Sequence, residues 1–340
     1  MDIGLIGGGD VVESLHLPVL VRTSGLTVKW VCDASAPRAK RVAKNWGIDR
    51  AFSNLDECSD VDAVLVATPV GTRESILNKT LARGWHALCE KPFAPSASLH
   101  RAILATAMEK KVKLAAGYMR RYYWAVEEAR RMVRSQALGR LRSITASESA
   151  HLERTGVSQS SYRNDARASG GGVMLETGCH LIDEGLFVAD AIGARIETSA
   201  QRVVNGYEVE TSASGFVTCG SGEDATFEVT VSGIRPIFQG ILFRFERGRI
   251  RLDLDPGRGL EISFGQHPSA SVKLPHPERA QHLQYVLRAF RSEWLHFVDG
   301  VQGACHWDMA RETGLLTSEI ITQCAESQKG SGIEVQECAL

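Results

Sequence analysis

The sequence predicts an α/β protein: a doubly wound parallel sheet, followed by a C-terminal α/β domain built on a largely antiparallel open sheet. Three observations carry this. Strand-like and helix-like segments alternate at short spacing through residues 2–118; a pair of glycines directly follows the first strand; and from about residue 200 to 274 the pattern changes to short alternating strands. A chain of 340 residues with 44% apolar content exceeds what one core usually organises. The expected division is 1–120 for the first domain and 121–330 for the second, with a tail at 331–340.

Residues 2–7 read as an apolar strand and residues 11–24 as a helix after the glycines. TVKWVCD, residues 27–33, is the next strand, followed by the helical PRAKRVAKNWG and the acidic turn FSNLDE. VDAVLVAT, residues 61–68, is nearly all apolar, as a parallel strand covered on both faces should be. RESILNKTLARG has a helical period, WHALCEK rises as a strand, residues 96–110 return to helix, and VKLAAGY, residues 112–118, completes the set. Such a sheet places its ligand crevice at the carboxyl ends of the strands.

After residue 120, WAVEEARRMVRSQALG predicts a helix and LRSITASESAH a strand. GGGVMLETGCHLIDEGLFVADAIG is a further helix, and RVVNGYEVE, ASGFVTCG, ATFEVTVSG, QGILFRFERGRIRLD and GLEISFG supply the strands of the second sheet. Residues 278–328 read as helical.

Composition narrows the function. With 39 basic and 40 acidic residues the net charge is -1, which gives no electrostatic reason to expect a nucleic acid or an acidic membrane as partner. The eight cysteines form no CxxC pair, against a disulfide framework or zinc knuckle and in favour of a reducing compartment, the cytoplasm. The first residues read directly as a strand, without a basic leader, and no run of apolar residues is long enough to predict a membrane span.

In GLIGGGDVVE, Gly7 and Gly9 stand at the first two positions of a GxGxxG turn, with Asp10 and Val11 at the start of the helix that would face a pyrophosphate. Val12 takes the third position, where glycine normally allows close packing of helix on strand. Asp33 ends the second strand, where a carboxylate accepts both ribose hydroxyls of NAD and repels the phosphate of NADP; its competing role is to cap the next helix. Arg38 or Lys40 could answer a 2′-phosphate, which keeps NADP as the alternative. Thr68 and Pro69 follow the third of these strands, at the edge a dinucleotide would cross.

Two stretches offer chemistry. In CEKPF, Glu90 and Lys91 end another strand, where a lysine facing the crevice could hold a substrate hydroxyl; the alternative is a surface ion pair. In GGGVMLETGCHLID, residues 170–183, Glu176 lies four residues before His180 on one helical face, with Asp183 three further on. These three could be a salt-bridge ladder, yet histidine beside a carboxylate suits proton transfer near neutral pH. A metal held with Cys179 is not expected, because a hard ion wants more oxygens and zinc a cleaner trio. Gly178 inside that helix calls for close packing or ligand access.

IGGGDVVESLHLP (6–18), DAVLVATP (62–69), ARGWHALCEKPFA (82–94), GYMRRYYWAV (117–126) and GGGVMLETGCHLID (170–183) together resemble, in order and over essentially the whole chain, the glucose-fructose oxidoreductase, inositol dehydrogenase and rhizopine catabolism (Gfo/Idh/MocA) family of NAD(P)-dependent oxidoreductases. The resemblance implies an N-terminal Rossmann domain and a C-terminal domain whose sheet forms a homodimer or homotetramer. It also implies hydride transfer between nicotinamide and a carbon of a sugar, polyol, amino sugar or nucleotide sugar. Lys91 matches the family's lysine and His180 its catalytic histidine, while Glu176 stands at a usual aspartate and Arg73 at a common histidine. In this reading His180 takes the hydroxyl proton, and Lys91 holds the same oxygen and bridges substrate to cofactor, with Glu90 beside it among the expected cofactor contacts. Glu176 orients His180 or relays its proton; the inverse, with Lys91 moving the proton, stays open. Arg120, Arg121, Tyr122, Tyr162 and Arg163 are the expected substrate contacts. Two alternatives share the fold: an NAD-dependent enzyme without net redox, and a ligand sensor without catalysis.

Overall fold

The computed structural model describes residues 1–150, 171–204, 207–265 and 271–326. Among these, six strands form the first sheet: β1 (Asp2–Ile6), β2 (Thr27–Cys32), β3 (Arg50–Phe52), β4 (Ala63–Val66), β5 (His86–Cys89) and β6 (Leu114–Ala116). All neighbours run parallel, in the order β3-β2-β1-β4-β5-β6. The order reverses between β1 and β4, so the crevice of this Rossmann fold opens at their carboxyl ends. The apolar text of β4 follows from its place, since all four of its residues are buried.

The helices that cover this sheet obey their end signals. Ser35 caps α2 (Ala36–Trp46), its Oγ accepting the Arg38 N–H at 3.4 Å, and Gly47 closes it in the left-handed conformation. Ser96 caps α4 (Ala97–Lys110) in the same manner, and α3 (Arg73–Ala82) lies between them in sequence. The helix expected at 11–24 is shorter and mixed: a π-helical segment, Val12–His16, followed by α1 (Leu17–Leu20).

The chain divides into two units. The first holds Met1–Tyr123 together with Ala280–Leu315, so the segment that chain order assigned to the second domain belongs to the first. Its long helix α7 (His282–Gln302) explains why. Phe290, Trp294 and Phe297 recur at helical spacing, and that stripe is buried in one core with Ile3, Leu5, Val12 and Val31. Chain order says which helix comes next; an apolar stripe decides where it is buried. The short α8 (Met309–Glu312) completes this unit.

The second unit is built on eight described strands: β7 (Leu141–Ser149), β8 (Gly193–Val204), β9 (Tyr207–Thr218), β10 (Asp224–Ser232), β11 (Gly240–Phe245), β12 (Gly248–Leu252), β13 (Leu260–Phe264) and β14 (Ser271–Leu274). Their order is β14-β13-β12-β11-β7-β10-β9-β8, antiparallel throughout except for the parallel pair β7 and β10. Helices α5 (Trp124–Arg134) and α6 (Cys179–Ala189) pack together, and α6 lies on β7, with a π segment, Met174–Gly178, leading into it. The chain ends its described part in α9 (Leu315–Glu326). Among the described residues no helix is long and apolar enough to cross a membrane.

Candidate cofactor and catalytic site

The glycine turn at the end of β1 is fixed by its own backbone. Gly7 has φ +103°, and a Cβ there would stand 2.4 Å from the Ala67 carbonyl oxygen, so only glycine fits. Its N–H donates to Cys32 O at 2.8 Å. At Gly9 a Cβ would meet nothing within 4 Å, leaving open space over the turn, and the Gly9 carbonyl accepts the N–H groups of Val12 and Glu13 as the helix begins at Asp10 and Val11. Backbone able to approach a ligand at a helix N-terminus suits a pyrophosphate. Val12 is fully buried in the core rather than displaced from it. The π segment that starts there, with its wider i→i+5 turn, accompanies a side chain where glycine is usual.

Asp33 meets this turn from β2. Its Oδ2 accepts the Gly8 N–H and its Oδ1 the Ser35 N–H, both at 2.8 Å, and the Arg38 guanidinium lies 3.4 Å from each oxygen. The capping role that competed for Asp33 falls to Ser35. With these two bonds and the two longer Arg38 contacts, all four acceptor sites of the carboxylate are engaged, the Arg38 pair at the weak end of the range.

At the carboxyl end of β5 the reading of Glu90 and Lys91 as a surface pair fails, because Glu90 is buried. His16 donates from Nε2 to Glu90 Oε1 at 2.8 Å, and Trp294 donates its indole N–H to His16 Nδ1 at 3.0 Å. Indole nitrogen can only donate, so His16 is held as the neutral Nε2–H tautomer. Glu90 Oε2 accepts the Lys91 N–H at 3.1 Å, and a Cβ on Gly117 would come 3.2 Å from this carboxylate. Burial pushes the Glu90 carboxyl up, but the His16 hydrogen bond and the neighbouring Lys91 and Arg73 charges outweigh it, holding the group below the usual carboxylate range. From the other side, the buried Arg73 donates from Nε and Nη2 to Thr68 O at 3.0 and 2.9 Å, from Nη2 to Lys91 O at 3.4 Å, and from Nη1 to Glu90 O and Pro92 O. Pro69 opens a short 3-10 turn, Val70–Thr72, directly before α3.

In the second unit Glu176 falls within the π segment and His180 at the start of α6, both half-buried. The single-face spacing expected of an α-helix is therefore altered by the wider turn ahead of His180. The Tyr207 hydroxyl donates to Glu176 Oε2 at 3.4 Å. Glu208 accepts the Met174 N–H at 3.0 Å and the Thr211 hydroxyl at 2.5 Å, and burial raises its carboxyl. Asp183 is buried and accepts the Thr317 hydroxyl at 3.5 Å, which ties it to α9. Gly178 is explained by packing: a Cβ there would meet Met174 Sδ at 2.4 Å and Val231 of β10 at 3.0 Å.

Residues 1–118 match the family described as "Oxidoreductase family, NAD-binding Rossmann fold", and residues 126–251 match "GFO/IDH/MocA C-terminal domain". The chain belongs to the Gfo/Idh/MocA oxidoreductase superfamily. Among curated relatives of this superfamily, the rhizopine catabolism protein MocA of Rhizobium meliloti is 29% identical over 184 residues, 54% of this chain and 55% of that protein. The chain thus spans about half the length of MocA. D-xylose 1-dehydrogenase (NADP(+)) 2 of Haloferax volcanii is 27% identical over 278 residues, 81% of this chain and 80% of that protein. The crystal structure of GenD2 from gentamicin A biosynthesis, in complex with NAD, shares the fold with TM-score 0.78 at 21% identity, covering 99% of this chain and 97% of that one. The first unit is thereby an NAD(P)-binding Rossmann fold.

Within this Gfo/Idh/MocA chain the structure brings Gly7, Gly9, Asp33, Thr68, Pro69, Glu90 and Lys91 to the carboxyl ends of β1, β2, β4 and β5. Arg120 and Tyr122 are half-buried in the segment after β6, with the Tyr122 ring 6.0 Å from that of His296. Arg121, expected beside them as a substrate contact, is instead buried inside the first unit. It donates to Arg311 O at 2.9 Å, lies 3.9 Å from the Glu312 carboxylate and covers the Tyr118 ring. Tyr162 and Arg163 lie outside the described residues. Arg73, His16, Trp294 and Tyr207 were given no role by the sequence. A signal existed for Arg73, which departs from the family's usual histidine, and none for Trp294, which lies 278 residues from its partner.

Proposed function

We propose that this protein transfers hydride between a nicotinamide cofactor, NAD by preference, and a hydroxyl or keto carbon of a carbohydrate-like molecule: a sugar, polyol, amino sugar or nucleotide sugar. The observation that carries the reading is the placement of Lys91 on a braced turn at the same end of the sheet as the glycine cradle. The cofactor, when bound, supplies the hydride donor or acceptor. Gly7 and Gly9 give its pyrophosphate close backbone approach, and Asp33 would accept from its ribose hydroxyls in place of the two long Arg38 contacts. The alternative is NADP, with Arg38 answering the added phosphate.

In the oxidative direction His180 takes the proton from the substrate hydroxyl, and the Lys91 ammonium holds that oxygen and stabilises the charge that develops on it. Glu176 orients His180, and its bond from the Tyr207 hydroxyl keeps its carboxylate aimed. Arg120 and Tyr122 contribute to holding the substrate. The same reading includes assembly through the second sheet as a homodimer or homotetramer, and a cytoplasmic setting.

The test offers purified protein NAD or NADP with a panel of polyols, sugars, amino sugars and nucleotide sugars, and follows reduced-nicotinamide absorbance beside Lys91→Ala. Absorbance that rises with wild type and is lost in the variant supports the reading. Tight cofactor binding with no reduced cofactor over the whole panel rejects net dehydrogenation in favour of a self-recycling enzyme or a sensor. A rise with NADP alone rejects the role given to Asp33.

A further inference from the structure

We infer that Arg73 is a positioning residue: its guanidinium fastens the backbone on both sides of Lys91, and so sets where the Lys91 side chain starts. The inference rests on the function proposed above and goes beyond it, since Arg73 touches neither substrate nor cofactor there.

A guanidinium carries five N–H donors in a planar fork. At Arg73, which is 4% exposed, these donors meet five acceptor contacts from four carbonyls: Thr68 twice, Glu90, Lys91 and Pro92. Three of the four carbonyls are consecutive and centred on Lys91. The Lys91 N–H is already held by the Glu90 carboxylate, and that carboxylate by His16. Both backbone polar groups of Lys91 are therefore tied, one to Glu90 and one to Arg73. The Thr68 contacts extend the tie to the loop after β4, so one side chain joins the loops that follow two neighbouring strands. A histidine in this place has at most two ring N–H donors and could not hold four carbonyls, and a lysine offers a point charge without the fork.

Arg73→Met and Arg73→Lys test this in the full chain. Displacing a reacting group by about 1 Å costs on the order of 100-fold in rate, so kcat should fall by about 10- to 100-fold in both variants. The cofactor KM should stay within about 3-fold, because the cradle residues are untouched. Hydrogen exchange in peptides spanning residues 66–74 and 88–94 should quicken by about 10-fold or more, with the rest of the chain unchanged. Restoration of kcat by lysine, unchanged kcat, or unchanged exchange in those peptides overturns the inference; so does failure of both variants to fold, which makes Arg73 a purely structural residue. If wild-type protein turns over nothing in the panel, the proposed function falls, and the exchange measurement still decides the fastening of Lys91.

Discussion

Val12–His16 and Met174–Gly178 are both five-residue π segments, each entered from glycines and each continued by an α-helix. Their glycines serve different ends. At the first, Gly7 adopts a backbone conformation closed to side chains, and Gly9 leaves open space above the turn. At the second, glycine makes room for what the protein itself supplies: a Cβ on Gly172 would stand 2.2 Å from Glu208 O, and one on Gly178 would run into Met174 and Val231. The anchoring carboxylates differ likewise. Asp33 holds the turn through Gly8 and faces the exposed Arg38 guanidinium, whereas Glu208 is buried against Met174 and Thr211. One glycine run leaves open space above its turn, and the other is filled by neighbours already in place. A motif reader that counts glycines treats them alike; the contacts a Cβ would make tell them apart.

The largest expected effect falls beside the first region. Lys91→Ala should lower turnover by about 100-fold or more while leaving the melting temperature near wild type, as steady-state kinetics and thermal unfolding would show. Gly7→Ala should act on both folding and binding. It forces a side chain into a left-handed turn and against Ala67 O, at about 1–3 kcal/mol in stability, and should weaken cofactor binding by about 10-fold or more. Gly178→Ala sharpens the comparison by its sign. Helix propensity favours alanine by about 1 kcal/mol, while overpacking costs about 1–3 kcal/mol, so a net loss in melting temperature is expected; a gain would show that packing does not require this glycine.

Glu90→Gln carries a pH signature. The folded carboxyl lies below its unfolded value, so its stabilisation is complete above about pH 4.3–4.5 and is lost as pH falls through the folded value. Wild type should exceed the glutamine variant by about 1–3 kcal/mol at neutral pH, and the two unfolding curves should converge in acid. Gly9→Ala should be the mildest in folding, within about 0.5 kcal/mol, because its Cβ would meet nothing in the protein. It should still reduce cofactor affinity, and equal affinity would remove the distinction drawn between the two glycine runs.

The alternation of β and α segments, the glycine turn and the places of Asp33 and Lys91 were readable because each depends on local pattern: period, turn chemistry and strand ends. What escaped depends on partners far away in sequence. Val12 stands where glycine normally allows close packing, yet it is buried in the core at the start of a π segment that no short-range rule signals. Arg121 sits in a basic, aromatic stretch that reads as a ligand contact, yet Glu312 and Arg311 claim it from 190 residues away. Helix α7 reads as part of the second domain until its apolar stripe is seen in the first core. Asp183 continues the spacing of Glu176 and His180, but Thr317 draws it into the interior.

The most direct measurement of the central claim is deuterium tracing. Wild-type protein is given the oxidised cofactor and sugars or polyols deuterated at carbon, and the reduced nicotinamide is analysed by mass spectrometry. The account predicts one deuterium on the nicotinamide ring, with a slower rate than for the unlabelled substrate where the transfer limits turnover. Product formed with its deuterium released to water, and none on the nicotinamide, would contradict it.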